Sequence, residues 1–485
     1  MKKEYDLVII GAGPAGLTLA HCCSRMGLKI LVVDREKTIG GCHRVIRTKD
    51  GLFTEHSPRV YFTFYVNLFH IMSEIGLVQE DVFVPYKYTS NDIAKKFYIF
   101  LSVYEILAFM YAYMIYIFNP NYGNSISLAT FAKTHNFSEV IIDKLDRICR
   151  VADGTDIHKY SLNKFLSAMN HSTSDIIQPK EPLDKSLFRH WKTFLEGRNV
   201  DFVLGKELLH LHYNEQTKQI DYIVLENQHK IHLNKLVLAI PPANISGILK
   251  TNKDIKNAFG DYHKFHEWSK ITEYNEYISI TYHFKDKVDI PHINGITLDT
   301  DWGIVVIALS DYMGHIEDGY KTVLSVGISI PKAKSKVISK SANECTPEEL
   351  YIETHRQIKG SIYPDLPDNY HAILNPNQYY HEKEWKSHDE AYFNTVGTQF
   401  LPFQSDVISN LYNVGTQNGK SYVDYTTMES AVSNAMVLSY NLYPQLREYY
   451  WLRKSLKLQD IIIYILIVLL ILIIIYYLIK MFRNM

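Results

Sequence analysis

Apolar residues gather in this chain as short runs, as a β-meander and as two long stretches, and each pattern predicts a different element. Near the N-terminus, Tyr5-Asp-Leu-Val-Ile-Ile10 has the length and content of a strand, and Ile30-Leu-Val-Val-Asp34 repeats it. Between them Gly11-Ala-Gly13-Pro-Ala15-Gly16 opens a helix. Further on, segments around Gly205–Leu211, Ile220–Leu225 and Leu236–Ile240 predict a meander that closes on Pro241-Pro242. The two long stretches differ. Ile461–Ile479 carries no charge, glycine or proline, and at about 1.5 Å per residue it would reach roughly 28 Å, close to the hydrocarbon thickness of a bilayer. Phe97–Phe118 is nearly as apolar but is broken by Glu105.

The strand–glycine turn–helix–strand order carries the first chemistry. In a G-x-G-x-x-G turn, Gly11 allows the tight bend, Gly13 lets the backbone approach a pyrophosphate, and Gly16 lets the helix pack on the strand. The helix start at Ala15 offers free N–H groups and a positive dipole end to phosphate. Asp34, closing the second strand beside Arg35, lies where a carboxylate accepts from a ribose diol. A second glycine pair, Gly40-Gly41, precedes Cys42-His43-Arg44. Such a loop keeps backbone close beside a pyrophosphate, as a flavin dinucleotide laid along the sheet requires.

The run Asp50-Gly-Leu-Phe-Thr-Glu55-His56-Ser-Pro-Arg59, together with Asp34 and Gly40-Gly41, resembles the flavin amine oxidase and carotenoid/squalene desaturase superfamily. In that family's pattern an arginine follows the glycine pair; here Cys42 stands there and Arg44 is the candidate replacement. The resemblance places Leu208 in a strand whose backbone meets the adenine. Asn410-Leu-Tyr-Asn-Val-Gly415-Thr416 and Met428-Glu429-Ser430-Ala431-Val432 are similar to the family's paired C-terminal signature under the flavin, with Thr416 for an aspartate and Ser430 for a glycine. The resemblance implies FAD as cofactor, held by Gly11, Gly13, Ala15, Gly16, Asp34, Arg35, Gly41, Arg44, Leu208, Gly415, Thr416, Ala431 and Val432. It puts His56 and Arg59 near the flavin ring as catalytic candidates. The family's covalent link to flavin uses a C-terminal cysteine. None follows Cys345 here, so the FAD is expected to be non-covalent.

The implied fold class is α/β: a discontinuous Rossmann-like FAD-binding domain, an inserted α+β substrate domain and a C-terminal transmembrane helix. The expected boundaries are 1–90, 178–255 and 400–445 for the FAD domain, 91–177 and 256–399 for the substrate domain, and 461–479 for the anchor. A chain of 485 residues that is 47% hydrophobic is ample for this. Net charge is −1, so nothing favours nucleic acid. The five cysteines, Cys22, Cys23, Cys42, Cys149 and Cys345, form no C-x-x-C, which argues against a zinc site or a disulfide framework; no metal is expected.

Met1-Lys-Lys-Glu leads directly into the first strand, so no signal peptide is expected, and Ile461–Ile479 reads as a single-pass tail anchor with everything before it cytosolic. Tyr464, Tyr476, Tyr477, Lys480 and Arg483 suit the membrane interfaces. For Phe97–Phe118 a crossing would put the two halves of one FAD sheet on opposite sides. It therefore reads either as a buried helix or as a monotopic helix dipping into the bilayer. The expected partners are the bilayer and a small, hydrophobic substrate that passes a hydride to the flavin. Thr427 replaces the family tyrosine of an amine-orienting cage, and no lysine aligns with the one that bridges to the flavin. An amine oxidase is one alternative reading; a mutase-like flavoprotein without net redox, or a membrane-bound binding protein, is another.

Overall fold

The computed structural model describes residues 4–86, 100–171, 174–226, 229–272, 277–289, 294–296, 300–361, 363–388, 396–397, 400–423 and 426–483. Its central sheet has seven strands: β1 (Glu4–Ile10), β2 (Ile30–Asp34), β3 (Val200–Leu204), β4 (Leu208–Asn214), β5 (Gln219–Leu225), β6 (Lys230–Leu238) and β7 (Leu411–Asn413). The order is β3-β2-β1-β6-β5-β4, and β7 pairs with the end of β6. β1 runs parallel to β2 and β6, while β4, β5 and the start of β6 form an antiparallel meander.

Burial on both faces explains why Leu7–Ile10 of β1 and Ile30–Val33 of β2 are apolar without interruption. Leu7, Ile9, Ile30 and Val32 face a core shared with the helices Pro14–Ser24, Val66–Glu74 and Met428–Leu442. Val8, Ile10, Leu31 and Val33 face the opposite core, against Pro242–Thr251 and Tyr262–Ile271. A strand covered on both faces has no polar side to show. Segments far apart in the chain, 4–34, 200–238 and 411–413, therefore meet in one sheet.

A second, antiparallel sheet of five strands is built from Ile278–Phe284, Asn294–Ile296, Ile304–Ala308, Thr322–Ile328 and His371–Leu374. It packs on the helix Pro347–Ser361 around the fully buried Trp302 and Tyr282. A helical group, including Val103–Phe118, Leu128–Thr134 and Leu162–Asn170, has its own core. Of the long stretch 97–118, residues 97–99 lie outside the described residues; the helix is Val103–Phe118. Glu105 starts that helix. Its carboxylate accepts from Ser102 N at 2.7 Å while Ser102 Oγ accepts from Glu105 N at 3.2 Å, a reciprocal cap that satisfies donors left bare at a helix end.

Among the described residues one helix, Leu458–Arg483, is long and apolar enough to cross a membrane, and its apolar stretch is unburied. Its first turns touch the helical group: Leu458, Ile462 and Ile463 join that core, and Gln459 Nε2 donates to the Ile117 carbonyl at 3.1 Å.

Candidate functional site

The glycine turn sits where β1 and β6 end side by side. Gly11 has φ +113, and a Cβ there would lie 2.3 Å from the Ala239 carbonyl oxygen, so glycine is the only residue that fits. Gly13 is the N-cap of the Pro14–Ser24 helix, with no side-chain cap; Ala15 and Gly16 are buried in its first turn. The N–H groups of that turn thus point out with no intrahelical acceptor. Across from them the Gly40–Arg44 loop folds back on the turn. Gly41 has φ +56, and a Cβ on it would lie 2.9 Å from Gly13 Cα.

Asp34 is oriented by backbone: its Oδ2 accepts from Ala12 N at 2.7 Å and its Oδ1 from Glu36 N at 2.8 Å. Lys206 N and Gly205 N donate to the Asp34 and Glu36 carbonyls at 3.1 and 2.8 Å, which brings half-buried Leu208 to the same edge. Arg35 turns outward, where its guanidinium donates to the His388 carbonyl. Arg44 is buried, 3.4 Å from the Glu36 carboxylate, and donates to the Gly41 carbonyl at 3.0 Å. Its charge therefore braces the glycine loop.

The C-terminal signature reaches this place from two sides. Gly415 N donates to Asn418 Oδ1 at 2.8 Å, and Gln417 Nε2 donates to the Ile240 carbonyl at 3.3 Å, which ties the Gly415–Thr416 turn to the end of β6. Ala431 and Val432 lie buried in the first turns of Met428–Leu442, which packs on Pro14–Ser24. That helix caps itself: Thr427 Oγ1 accepts from Ser430 N at 3.0 Å, and Ser430 Oγ donates to the Thr427 carbonyl at 2.8 Å. The serine in place of the family glycine thus closes a cap. Of the two neighbouring tyrosines, Tyr422 is exposed and Tyr425 lies outside the described residues.

Of the two catalytic candidates, Arg59 meets the Gly40–Arg44 loop. His56 is buried, and the Arg59 guanidinium donates to the Cys42 carbonyl. His43 Nδ1 is 3.3 Å from the Tyr61 hydroxyl, and burial, helped by the charges of Arg59 and His56, holds His43 well below the usual imidazole range. Burial likewise pushes Tyr61 up to about 12. Among the described residues no cluster of three or more histidine, cysteine or acidic side chains suits a metal.

Two acids escaped sequence reasoning as individuals. Glu429 is buried and accepts from Asn67 N at 3.0 Å, Asn67 Nδ2 at 2.7 Å and Leu68 N at 3.0 Å, so it caps the Val66–Glu74 helix. Glu55 is buried on the short strand Phe53–Glu55. The sequence signal for it was a carboxylate at a position whose alternation partner, Phe53, is apolar.

Comparison with known proteins adds the fold's relatives. Residues 9–75 match a family model described as an NAD(P)-binding Rossmann-like domain. A 15-cis-phytoene desaturase from an Oncidium hybrid cultivar is 33% identical over 76 residues, 16% of this chain and 13% of that protein. The chain thus spans a small fraction of the length of the curated relatives it matches. Two solved structures cover the whole architecture: a putrescine oxidase bound to putrescine, with TM-score 0.61 at 12% identity, over 91% of this chain and 99% of that one, and cyclohexylamine oxidase from Brevibacterium oxydans, with TM-score 0.59 at 14% identity, over 90% and 99%. The chain shares the fold of these two oxidases.

FAD is the cofactor that the sequence resemblance implies, and the residues present fit it. The missing side chains of Gly11, Gly13 and Gly41 let the glycine turn, the Gly40–Arg44 loop and the end of β6 pack backbone against backbone. The uncapped helix start supplies donors. Asp34, held by two backbone N–H groups, keeps lone pairs for a diol. Cys42 directly follows Gly41 and is partly exposed, while the other four cysteines are buried; non-covalent FAD is consistent with this fold.

Proposed function

We propose that this chain is a membrane-anchored, FAD-dependent oxidoreductase acting on a hydrophobic substrate. The observation that carries the reading is the convergence of the glycine turn, the Gly40–Arg44 loop and Asp34 at the ends of β1, β2 and β6. Asp34 and Leu208 would take the adenosine side, Gly13, Ala15 and Gly41 the pyrophosphate, and Gly415, Thr416, Ala431 and Val432 the flavin side. Arg44 would act through the loop it braces, and Arg35 at the outer edge. Bound FAD supplies a hydride acceptor; the protein's task is to seat the substrate, exclude water and handle the proton. Residues 1–90, 178–255 and 400–445 would form the cofactor domain, and 91–177 and 256–399 the substrate domain.

The exposed Leu458–Met481 stretch, preceded by Arg453, Lys454 and Lys457, supports membrane attachment, and the proposed topology has the catalytic part facing the cytosol. A second contact is the Val103–Phe118 helix. Val103, Leu107, Met110, Tyr111 and Phe118 stand exposed along one stripe, beside the packed start of the anchor. Large apolar side chains gathered this way mark a surface meant for something other than water, and the anchor supplies the bilayer. Of the two sequence readings for this helix, the monotopic one is favoured.

Putrescine and cyclohexylamine are named for the structural neighbours, so amine oxidation is the rival reading. Against it, Thr427 is spent on capping a helix. An absorbance spectrum of purified protein decides the cofactor: a flavin band is expected, and colourless protein would sink the proposal. Anaerobic bleaching then separates the substrates. Polyisoprenoids or porphyrinogens should bleach the flavin; bleaching by polyamines or aromatic amines alone would make it an amine oxidase, and flavin that must first be reduced would make it mutase-like.

A further inference from the structure

Residues 451–457, Trp-Leu-Arg-Lys-Ser-Leu-Lys, are the last stretch before the Leu458–Arg483 helix and adopt neither helix nor strand. Three cations and no acid fall in it, in a chain whose net charge is −1. The stretch is nonetheless held at two points. Asn67 takes Arg453 by its backbone: Asn67 Oδ1 accepts from Arg453 N at 2.9 Å, and Asn67 Nδ2 donates to the Arg453 carbonyl at 3.1 Å. Just past its other end, Gln459 N donates to Asn170 Oδ1 at 3.1 Å, and Asn170 Nδ2 donates back to Gln459 Oε1 at 3.3 Å. Side chains on a strap pinned in this way stand in fixed places and lose little further freedom on binding.

What the strap presents sets it apart. Trp451 is 54% exposed and Leu456 65% exposed, whereas Trp191, Trp302 and Trp385 are buried and Trp268 is half-buried. Rings back two of the cations: the Arg453 guanidinium lies 4.8 Å from the Trp451 centroid, and Lys454 Nζ lies 4.7 Å from that of Tyr422. Glu74, on the helix that carries Asn67, is taken by His21 and Arg25, and no carboxylate pairs with Arg453, Lys454 or Lys457 among the described residues. Of the flanking acids, Glu448 stands next to Arg447, and Asp460 is turned to the helix start, where it accepts from Lys457 N at 3.1 Å. Exposed tryptophan and leucine interleaved with unpaired cations suit a surface that is apolar beneath and anionic above, as at the edge of a bilayer.

Resting on the reading of Leu458–Arg483 as a membrane anchor, we infer that the 451–457 strap docks on the headgroup layer of the adjoining leaflet and selects anionic phospholipid. Arg453, Lys454 and Lys457 meet the anionic headgroups, and Trp451 and Leu456 enter the layer between them. Anionic lipid concentrates in the cytosolic leaflet, the side on which the proposed topology puts the strap. Zwitterionic lipid offers the cations no net charge, which keeps this contact distinct from the exposed stripe of the Val103–Phe118 helix.

The test uses full-length protein in vesicles of equal parts phosphatidylcholine and phosphatidylserine, with brominated acyl chains on one lipid or the other. Bromine quenches tryptophan at short range; Trp451 is the exposed one of the chain's five tryptophans, and the anchor helix has none. Brominated phosphatidylserine should quench about twofold more than brominated phosphatidylcholine, because each cation near an anionic surface favours it several-fold. W451F should remove the quenching, which assigns it. R453Q/K454Q/K457Q should make the two lipids equal, and about 0.5 M salt should do the same by screening. K454Q/K457Q, which leaves Arg453 on Asn67, should lose part of the difference and serves where the triple variant fails to fold. Equal quenching by both lipids in the wild type, the absence of quenching that W451F removes, or a preference unchanged in both charge variants would overturn the proposal. Flotation with vesicles of phosphatidylcholine alone reads the anchor separately: protein that stays behind has lost the anchor and the docking with it, and protein that floats without a lipid preference has lost the docking alone.

Discussion

Gly13 and Glu429 show two ways in which one residue sets the behaviour of the candidate site. Gly13 must leave space and carry no charge where the helix N-terminus faces the glycine loop. Gly13→Glu is expected to purify with little flavin, at least tenfold less per protein than wild type by absorbance, because a carboxylate competes with pyrophosphate for the same dipole. Full flavin content in that variant would place the cofactor elsewhere. Glu429 is buried, and desolvation raises it to about 7 against three N–H donors that favour the charged form. The sign follows: the folded state holds the proton more tightly than the unfolded chain. This contribution is therefore complete below the unfolded carboxyl range and is lost as pH rises through about 7. The loss amounts to about 3 kcal/mol in the limit of full deprotonation. Melting temperature should fall from about pH 5 to about pH 8 more steeply in wild type than in E429Q, whose side chain cannot titrate. Parallel profiles would refute the assignment.

Elements show what was legible in sequence and what was not. The Rossmann turn is legible because each of its residues answers a local demand: Gly11 a backbone angle, Asp34 a strand end. Glu105 looked like a flaw in an apolar run, yet it is the start of a helix; the Ser102-x-x-Glu105 spacing carried that signal. The C-terminal glutamate of Met428-Glu429 was legible as a motif but not as a cap, because Asn67 is distant in sequence and only the packed helices bring it near. A similar long-range node joins three elements. Glu74 accepts from His21 and Tyr450 at 2.9 and 2.8 Å and pairs with Arg25 at 3.0 Å, so the helices Pro14–Ser24 and Val66–Glu74 are tied to the segment leading to the anchor. Burial alone would raise Glu74, but the hydrogen bonds of His21 and Tyr450 outweigh it and hold the carboxyl at about 2. With the folded value below the unfolded one, this stability is present above the usual carboxylate range and is lost as pH falls toward about 2. Glu74→Ala should cost roughly 2–4 kcal/mol, since it strands buried His21 and the Tyr450 hydroxyl. Tyr450→Phe should cost about 1 kcal/mol. Denaturant midpoints of the two variants that coincide with wild type would show the node to be incidental.

At the scale of the whole molecule, two exposed apolar surfaces adjoin the helical group, and they would make different demands on a membrane. The Leu458–Arg483 helix has no protein around most of its length, and in the proposed anchoring a bilayer would cover it. The Val103–Phe118 helix is too short to span and is already half covered: Ala108, Phe109, Ala112, Tyr113 and Tyr116 face the protein core. Its exposed stripe is suited to shallow contact, where apolar area leaves water at about 25 cal/mol per Å². The two contacts separate by experiment. Removal of residues 458–485 should convert an integral protein into one that alkaline carbonate releases, still bound to vesicles at neutral pH through the Val103–Phe118 stripe. Adding L107E and M110E, both on the exposed stripe and hence tolerated by the fold, should then release it to the soluble fraction without a change in melting temperature. Truncated protein that resists carbonate would mean a second crossing near Phe97–Phe118, incompatible with a sheet whose strands 4–34 and 200–238 lie on either side of it. Truncated protein that is soluble without the charge substitutions would leave the tail as the whole attachment and return the helix to a protein-facing role.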